Sequence, residues 1–133
     1  ANNVKMIPVL EKFSDWKEGK RLKSILTDTE ADFAIMTNSV KPFKKCAVLI
    51  KINDTVLEAG KLHQNMAIEI ISNSTLVIGN LTVSDNYVTF VASNEMALNY
   101  EKKNFFDKVQ VIGKALQVFI ELEDFSVETN ILI

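Results

Sequence analysis

The sequence is poor in the residues that build chemistry and staple small folds: in 133 residues it has one cysteine, one histidine, two prolines and four glycines. A single cysteine, Cys46, rules out an internal disulfide and fits a reducing compartment. One histidine beside one cysteine argues against the usual zinc ligand sets, so no metal is expected. His63 reads as a surface turn residue. Cys46 opens an apolar run and reads as a small buried side chain rather than a reactive thiol. Gly19, Gly60, Gly79 and Gly113 are too scattered to form a phosphate-cradling loop, and no cofactor is expected. No apolar run reaches the length of a membrane span. The opening Ala1-Asn2-Asn3-Val4-Lys5 lacks the apolar core of a signal peptide, and it lacks an initiating methionine, as a piece of a longer chain does. Charge of either sign is not in excess. Fifteen basic and seventeen acidic side chains leave a net charge of −2, so this chain by itself has no strong basic field for nucleic acid.

What the sequence does have is apolar material, 47% of all residues, enough for the core of one domain. Most of it lies in short runs of strand character. Thr75–Val83 and Tyr87–Ala92, joined by Ser84-Asp85-Asn86, read as a hairpin. Asp32–Thr37, Ala47–Ile52 and Met66–Ile71 are further strand candidates. Lys108–Leu122 alternates over its second half as a sheet face requires, and Gly113 inside it marks a bulge or bend. Val4–Leu10, which contains Pro8, reads as an edge strand or extended arm. Glu11–Leu26 reads as a loop or a short helix around Lys20–Leu26. Phe13 and Trp16 read as the residues that pack this arm on the domain, and Phe125–Ile133 could add a last strand. The expected fold is mostly β, a barrel-like or sandwich arrangement of short, mainly antiparallel strands with little helix. Residues 1–26 are expected as an N-terminal arm or linker with a short strand, and residues 27–133 as the β domain.

The order of these segments carries a resemblance. Met6-Ile7-Pro8-Val9-Leu10 is similar to an opening "IPVLG" strand. Asn38-Ser39-Val40-Lys41-Pro42 resembles a worn "DSMxP" motif, with Ser39 at the position of a nucleophile. Ala47–Ile52 is similar to "GDLVIV", and Leu57–Leu62 to the turn that follows it. Leu76–Leu81 resembles a "TVKRL" strand, Tyr87–Asn94 an "xVxLxPxN" strand, and Val109–Val118 a closing "xIxGxVVGV" strand. Together they resemble the C-terminal domain of LexA and phage CI-type repressors, a serine-lysine self-cleaving peptidase fold, over nearly the whole chain.

That resemblance implies a serine activated by a neutral lysine. The lysine's position is occupied by Gly79, which has no side chain to act as a base. The serine loop is about two residues short, and Phe13-Ser14-Asp15-Trp16 stands where the family has its Ala-Gly cleavage site. The expectation is therefore a degenerate domain with no catalytic residues, Ser39 and Gly79 marking the lost positions. Its implied role is dimerisation and regulation of a phage-type or SOS-type transcriptional repressor in the cytoplasm. Partners implied are a second copy or a higher homo-oligomer, DNA only through an upstream domain, and an antirepressor or RecA-like regulator; no membrane is involved. The family pairs through its last strands, which points to Val109, Val111, Leu116, Val118, Ile120, Phe125 and Val127 as the interface. Two alternatives stand beside this one: an active Ser39-dependent self-cleaving domain with a displaced lysine, and a stand-alone β domain that binds a protein.

Overall fold

The structure, a computed structural model, describes residues 3–38, 40, 45–53, 57–92 and 96–120. The strands in chain order are β1 (Lys5–Leu10), β2 (Lys23–Thr27), β3 (Phe33–Thr37), β4 (Cys46–Ile52), β5 (Leu62–Ile70), β6 (Thr75–Val83), β7 (Tyr87–Ala92), β8 (Ala97–Glu101) and β9 (Val109–Ile120). Two short helices accompany them, α1 (Ser14–Glu18) and α2 (Phe105–Lys108). The strands form one open nine-stranded sheet in the order β2-β1-β3-β4-β9-β5-β6-β7-β8. Only β1 and β3 run parallel; the other neighbours are antiparallel. The mostly β class expected from the strand spacing is what the chain adopts.

The last described strand is the middle of the sheet. The first half of β9 pairs with β5, from Ile70↔Val109 to Met66↔Lys114. Its second half pairs with β4, from Ile52↔Gly113 to Cys46↔Ile120. The two ladders overlap only at Gly113 and Lys114. Each ladder also contains a register shift, one opposite Ala67/Ile68 that leaves Ile112 extra and one opposite Leu49/Ile50 that leaves Leu116 extra. Bulges sharpen local twist. Here they turn one ladder away from the other, and the sheet takes a sandwich-like shape. Gly113 is needed at the handover by close approach: a Cβ there would lie 2.1 Å from the Lys51 carbonyl oxygen.

Strand alternation then sorts the core into three clusters. Phe33 and Ile35 of β3, Cys46, Val48 and Ile50 of β4, Ala67 of β5, and Leu76 and Ile78 of β6 share one face with Ile112 and Val40. On the opposite face, Met66, Ile68, Val77, Leu81, Val88 and Phe90 close around Phe105 of α2. At the other end of that face lie Ile7, Val9, Ala34, Ala47 and Leu49.

Two expectations about the first residues are corrected. β1 is an inner strand, hydrogen-bonded to β2 on one side and β3 on the other. Pro8 is tolerated because the Val9 carbonyl accepts from the Leu22 amide at 2.8 Å, so Val9 faces β2 and Pro8 turns its missing donor the other way. On that side the β3 ladder begins only at Val9. The helix expected over Lys20–Leu26 lies earlier, at Ser14–Glu18, and Lys23–Thr27 is a strand. Gly19 ends the helix in the left-handed conformation, φ 70°, which a residue with a side chain adopts at a cost. β1 and β2 thus belong to the same sheet as the rest, and Trp16 and Phe13 pack on Phe33 with ring centroids 4.9 and 5.9 Å apart. Phe125–Ile133 lies outside the described residues.

Gly113→Ala forces the β9 backbone away from Lys51. It is expected to cost about 1–3 kcal/mol, the range for overpacked sites. Urea unfolding checks this as a lowered midpoint with an unchanged m-value.

Candidate functional site

Position 79 sits in the middle of β6, paired with Met66 on β5 and Ala92 on β7. Its neighbours Ile78 and Leu81 are buried on opposite faces. A Cβ at Gly79 would lie 2.1 Å from the Val91 carbonyl oxygen and 2.7 Å from the Ala92 Cα. Glycine is therefore a packing requirement here. β7 occupies the space in which a lysine side chain would begin, and no base fits without moving that strand.

Ser39 lies outside the described residues; its neighbours do not. Asn38 is exposed, and Val40 is buried against Val48 and Ile78. Two pockets border this region. One, of ≈ 280 Å³, is lined by Val40, Val48, Asn65, Ile78 and the bulged stretch Ala115–Val118 of β9. The other, of ≈ 370 Å³, lies between the end of β3 and the β5–β6 turn. Glu11, Lys12 and Phe13 form one wall, Ile35–Asn38 another, and Lys45, Glu69 and Ser74–Leu76 complete it. The turn is shaped by Ser74 at φ 56° and by the Asn73 side-chain oxygen, which accepts from the Thr75 amide at 3.1 Å. Glu69 projects from β5 with its carboxyl pushed above the usual range by burial. Among the described residues it has no hydrogen bond and no ion pair.

The other singled-out residues separate cleanly. Cys46 is buried in β4, and burial pushes its thiol pKa up, as an inert core cysteine requires. Lys61 is exposed and pairs with Glu58 at 2.7 Å, which holds the Glu58 carboxyl below its usual range. His63 is corrected: it lies in β5 rather than a turn, half-buried, with its Nε2 buried and lacking a hydrogen-bond partner. Among the described residues no group of three or more His, Cys, Asp or Glu could hold a metal ion.

Neither a family model, nor a curated protein, nor a solved structure matches this chain. Function is therefore argued from the site and the surface alone. The expected interface residues divide into two groups. Val109 is buried beside Phe105 and Val111 packs on the same cluster, so Val109 is corrected from interface to core. Leu116 and Ile120 are exposed and Val118 is half-buried. Phe125 and Val127 lie outside the described residues. β9 has β4 along one side and β5 along the other, but only Gly113 and Lys114 are paired on both, and the stretch carrying Leu116, Val118 and Ile120 is paired with β4 alone.

Glu69 gives a pH-dependent expectation. Its folded pKa is raised, so its neutral form favours folding at low pH, and this contribution is lost as pH rises through the folded pKa. Glu69→Gln is expected to stabilise the protein at neutral and alkaline pH and to leave it nearly unchanged in acid. Denaturant unfolding of both proteins across that range checks the sign.

Proposed function

We propose that the chain is the dimerising, regulatory domain of a phage-type or SOS-type transcriptional repressor, acting in the cytoplasm without peptidase activity. The observation that carries this reading is the backbone contact at Gly79. The strand that resembles the family's lysine strand stands in the corresponding order, and β7 closes on it where the base would start. The function left to such a scaffold is geometric. A dimer ties two DNA-binding heads, carried on a segment outside this sequence, into one bivalent ligand for a palindromic operator. The second head then binds at high effective concentration.

The face of β9 around Leu116, Val118 and Ile120 supports self-association, because large apolar side chains left in water there lose nothing when a second copy covers them. A specific observation favours a second surface. On the edge strand β2, Leu26 is 63% exposed and stands opposite Met6, itself 65% exposed, with the exposed Val4 just before β1. An unpaired edge carrying an apolar strip is a ready place for strand addition. A stable interface of either kind needs about 800 Å² from each partner.

Sedimentation across the micromolar range tests the reading. A reversible monomer–dimer equilibrium is expected, and a strict monomer at high micromolar concentration overturns it. Leu116→Glu is expected to weaken the dimer by tenfold or more, about 1.4 kcal/mol. If Leu26→Glu does so instead, the β2 edge is the interface. Incubation at alkaline pH is expected to leave the chain intact, with Ser39→Ala behaving identically. A new N-terminus that depends on Ser39 would restore the enzymatic alternative.

A further inference from the structure

The ≈ 370 Å³ pocket has a feature the assembly reading does not use. Glu69 occupies a position on β5 that shares its face with Ala67, and its cross-strand partner Leu76 is buried. An apolar residue there would extend the core. The chain instead carries a carboxylate that loses part of its hydration and, among the described residues, gains no partner, which is a net cost. Such unoffset costs concentrate where a ligand completes the interaction.

We propose that this pocket binds an organic cation, an alkylammonium or guanidinium group on an aliphatic stem, with Glu69 as its counter-ion. The lining fits that chemistry. Phe13, Ile35 and Leu76 supply apolar wall for the stem. The Ser74 and Thr75 hydroxyls line the same pocket and accept hydrogen bonds from N–H donors.

Among the described residues, the charged groups that line the pocket with Glu69 are Glu11 and Lys12 from the β1–α1 connection and Lys45 at the entry to β4; β3 and β6 bring none. Both lysines are exposed and solvated, and neither pairs with Glu69, whereas Glu69 is partly desolvated. Glu69 is therefore the one described charged group of the lining that is partly desolvated, and the charge that would pair with it is positive. A divalent metal ion needs more oxygen ligands than two carboxylates supply, and no metal-holding cluster exists among the described residues. An organic cation satisfies Glu69 with one charge-assisted contact and buries its stem.

This inference stands independently of the dimer. The cation has two possible sources, a basic side chain of a peptide or a free polyamine. Two probes separate them, N-acetyl-lysine methylamide and putrescine, with N-acetyl-norleucine methylamide as the uncharged control. Titrations followed by ¹H–¹⁵N spectra are expected to give saturable shifts at Asn38, Thr75 and Leu76 with at least one cationic probe and none with the control. The lysine amide alone points to a peptide, and putrescine alone to a free amine. Glu69→Gln, expected to remain folded, should weaken binding about tenfold or more. Binding should tighten as pH rises through the Glu69 pKa. No saturable shift at millimolar concentration of either cation overturns the proposal. So does binding that is unchanged in Glu69→Gln or equally strong for the norleucine control.

Discussion

The whole sheet depends on one handover. At Gly113 and Lys114, β9 releases β5 and takes up β4, and these two residues pair with both strands at once. Without β9 the described strands fall into two groups, β2-β1-β3-β4 and β5-β6-β7-β8, with no other ladder between them. The central core cluster needs both groups, since Phe33, Ile35 and Val48 come from one and Leu76 and Ile78 from the other. The physical condition for the handover is the approach of β9 to the Lys51 carbonyl, which only glycine permits. A second tie reinforces it: the Thr29 hydroxyl donates to the Gln117 side-chain oxygen at 2.6 Å, fixing the β2–β3 connection to β9.

A glycine at a strand centre serves the same purpose on β6. Gly79 lets β7 close to a distance that no Cβ tolerates, and Leu81, Phe90 and Ala92 pack in the same cluster. From the residues alone, Gly79 reads as an absence of chemistry. In the fold it is a presence of packing. The surface features that remain are apolar side chains on the β9 face and the β2 edge, and a pocket whose half-buried carboxylate has no partner among the described residues.

How much of this was legible in the residues follows from burial. Thr75–Val83 and Tyr87–Ala92 were readable to the residue because both faces or alternate faces of those strands are buried. The strands that escaped reading, Lys23–Thr27 and Ala97–Glu101, are the two edges of the sheet. Paired on one side and mostly exposed, they bury few residues, and the period-two signal fades with the burial that produces it. The start of β5 was hidden for a related reason. Gln64 and Asn65 lie in a register shift, with Asn65 at φ 54°, and their polarity masks the strand. The core role of Val109 was hidden because the apolar face of β9 changes at its bulges. The pocket around Glu69 was illegible because its walls come from the β1–α1 connection, β3, β5 and β6, which only the folded topology brings together.

Native-state hydrogen exchange tests the central claim most directly. If β9 joins the two halves, its amides from Val111 to Val118 and their partners on β4 and β5 exchange only through global unfolding. The free energy of their opening then equals that measured by denaturant, while β2 and β8 open at lower cost. β9 amides that open at the low cost of the edge strands, with β4 still protected, would contradict the claim that the handover at Gly113 holds the sheet together.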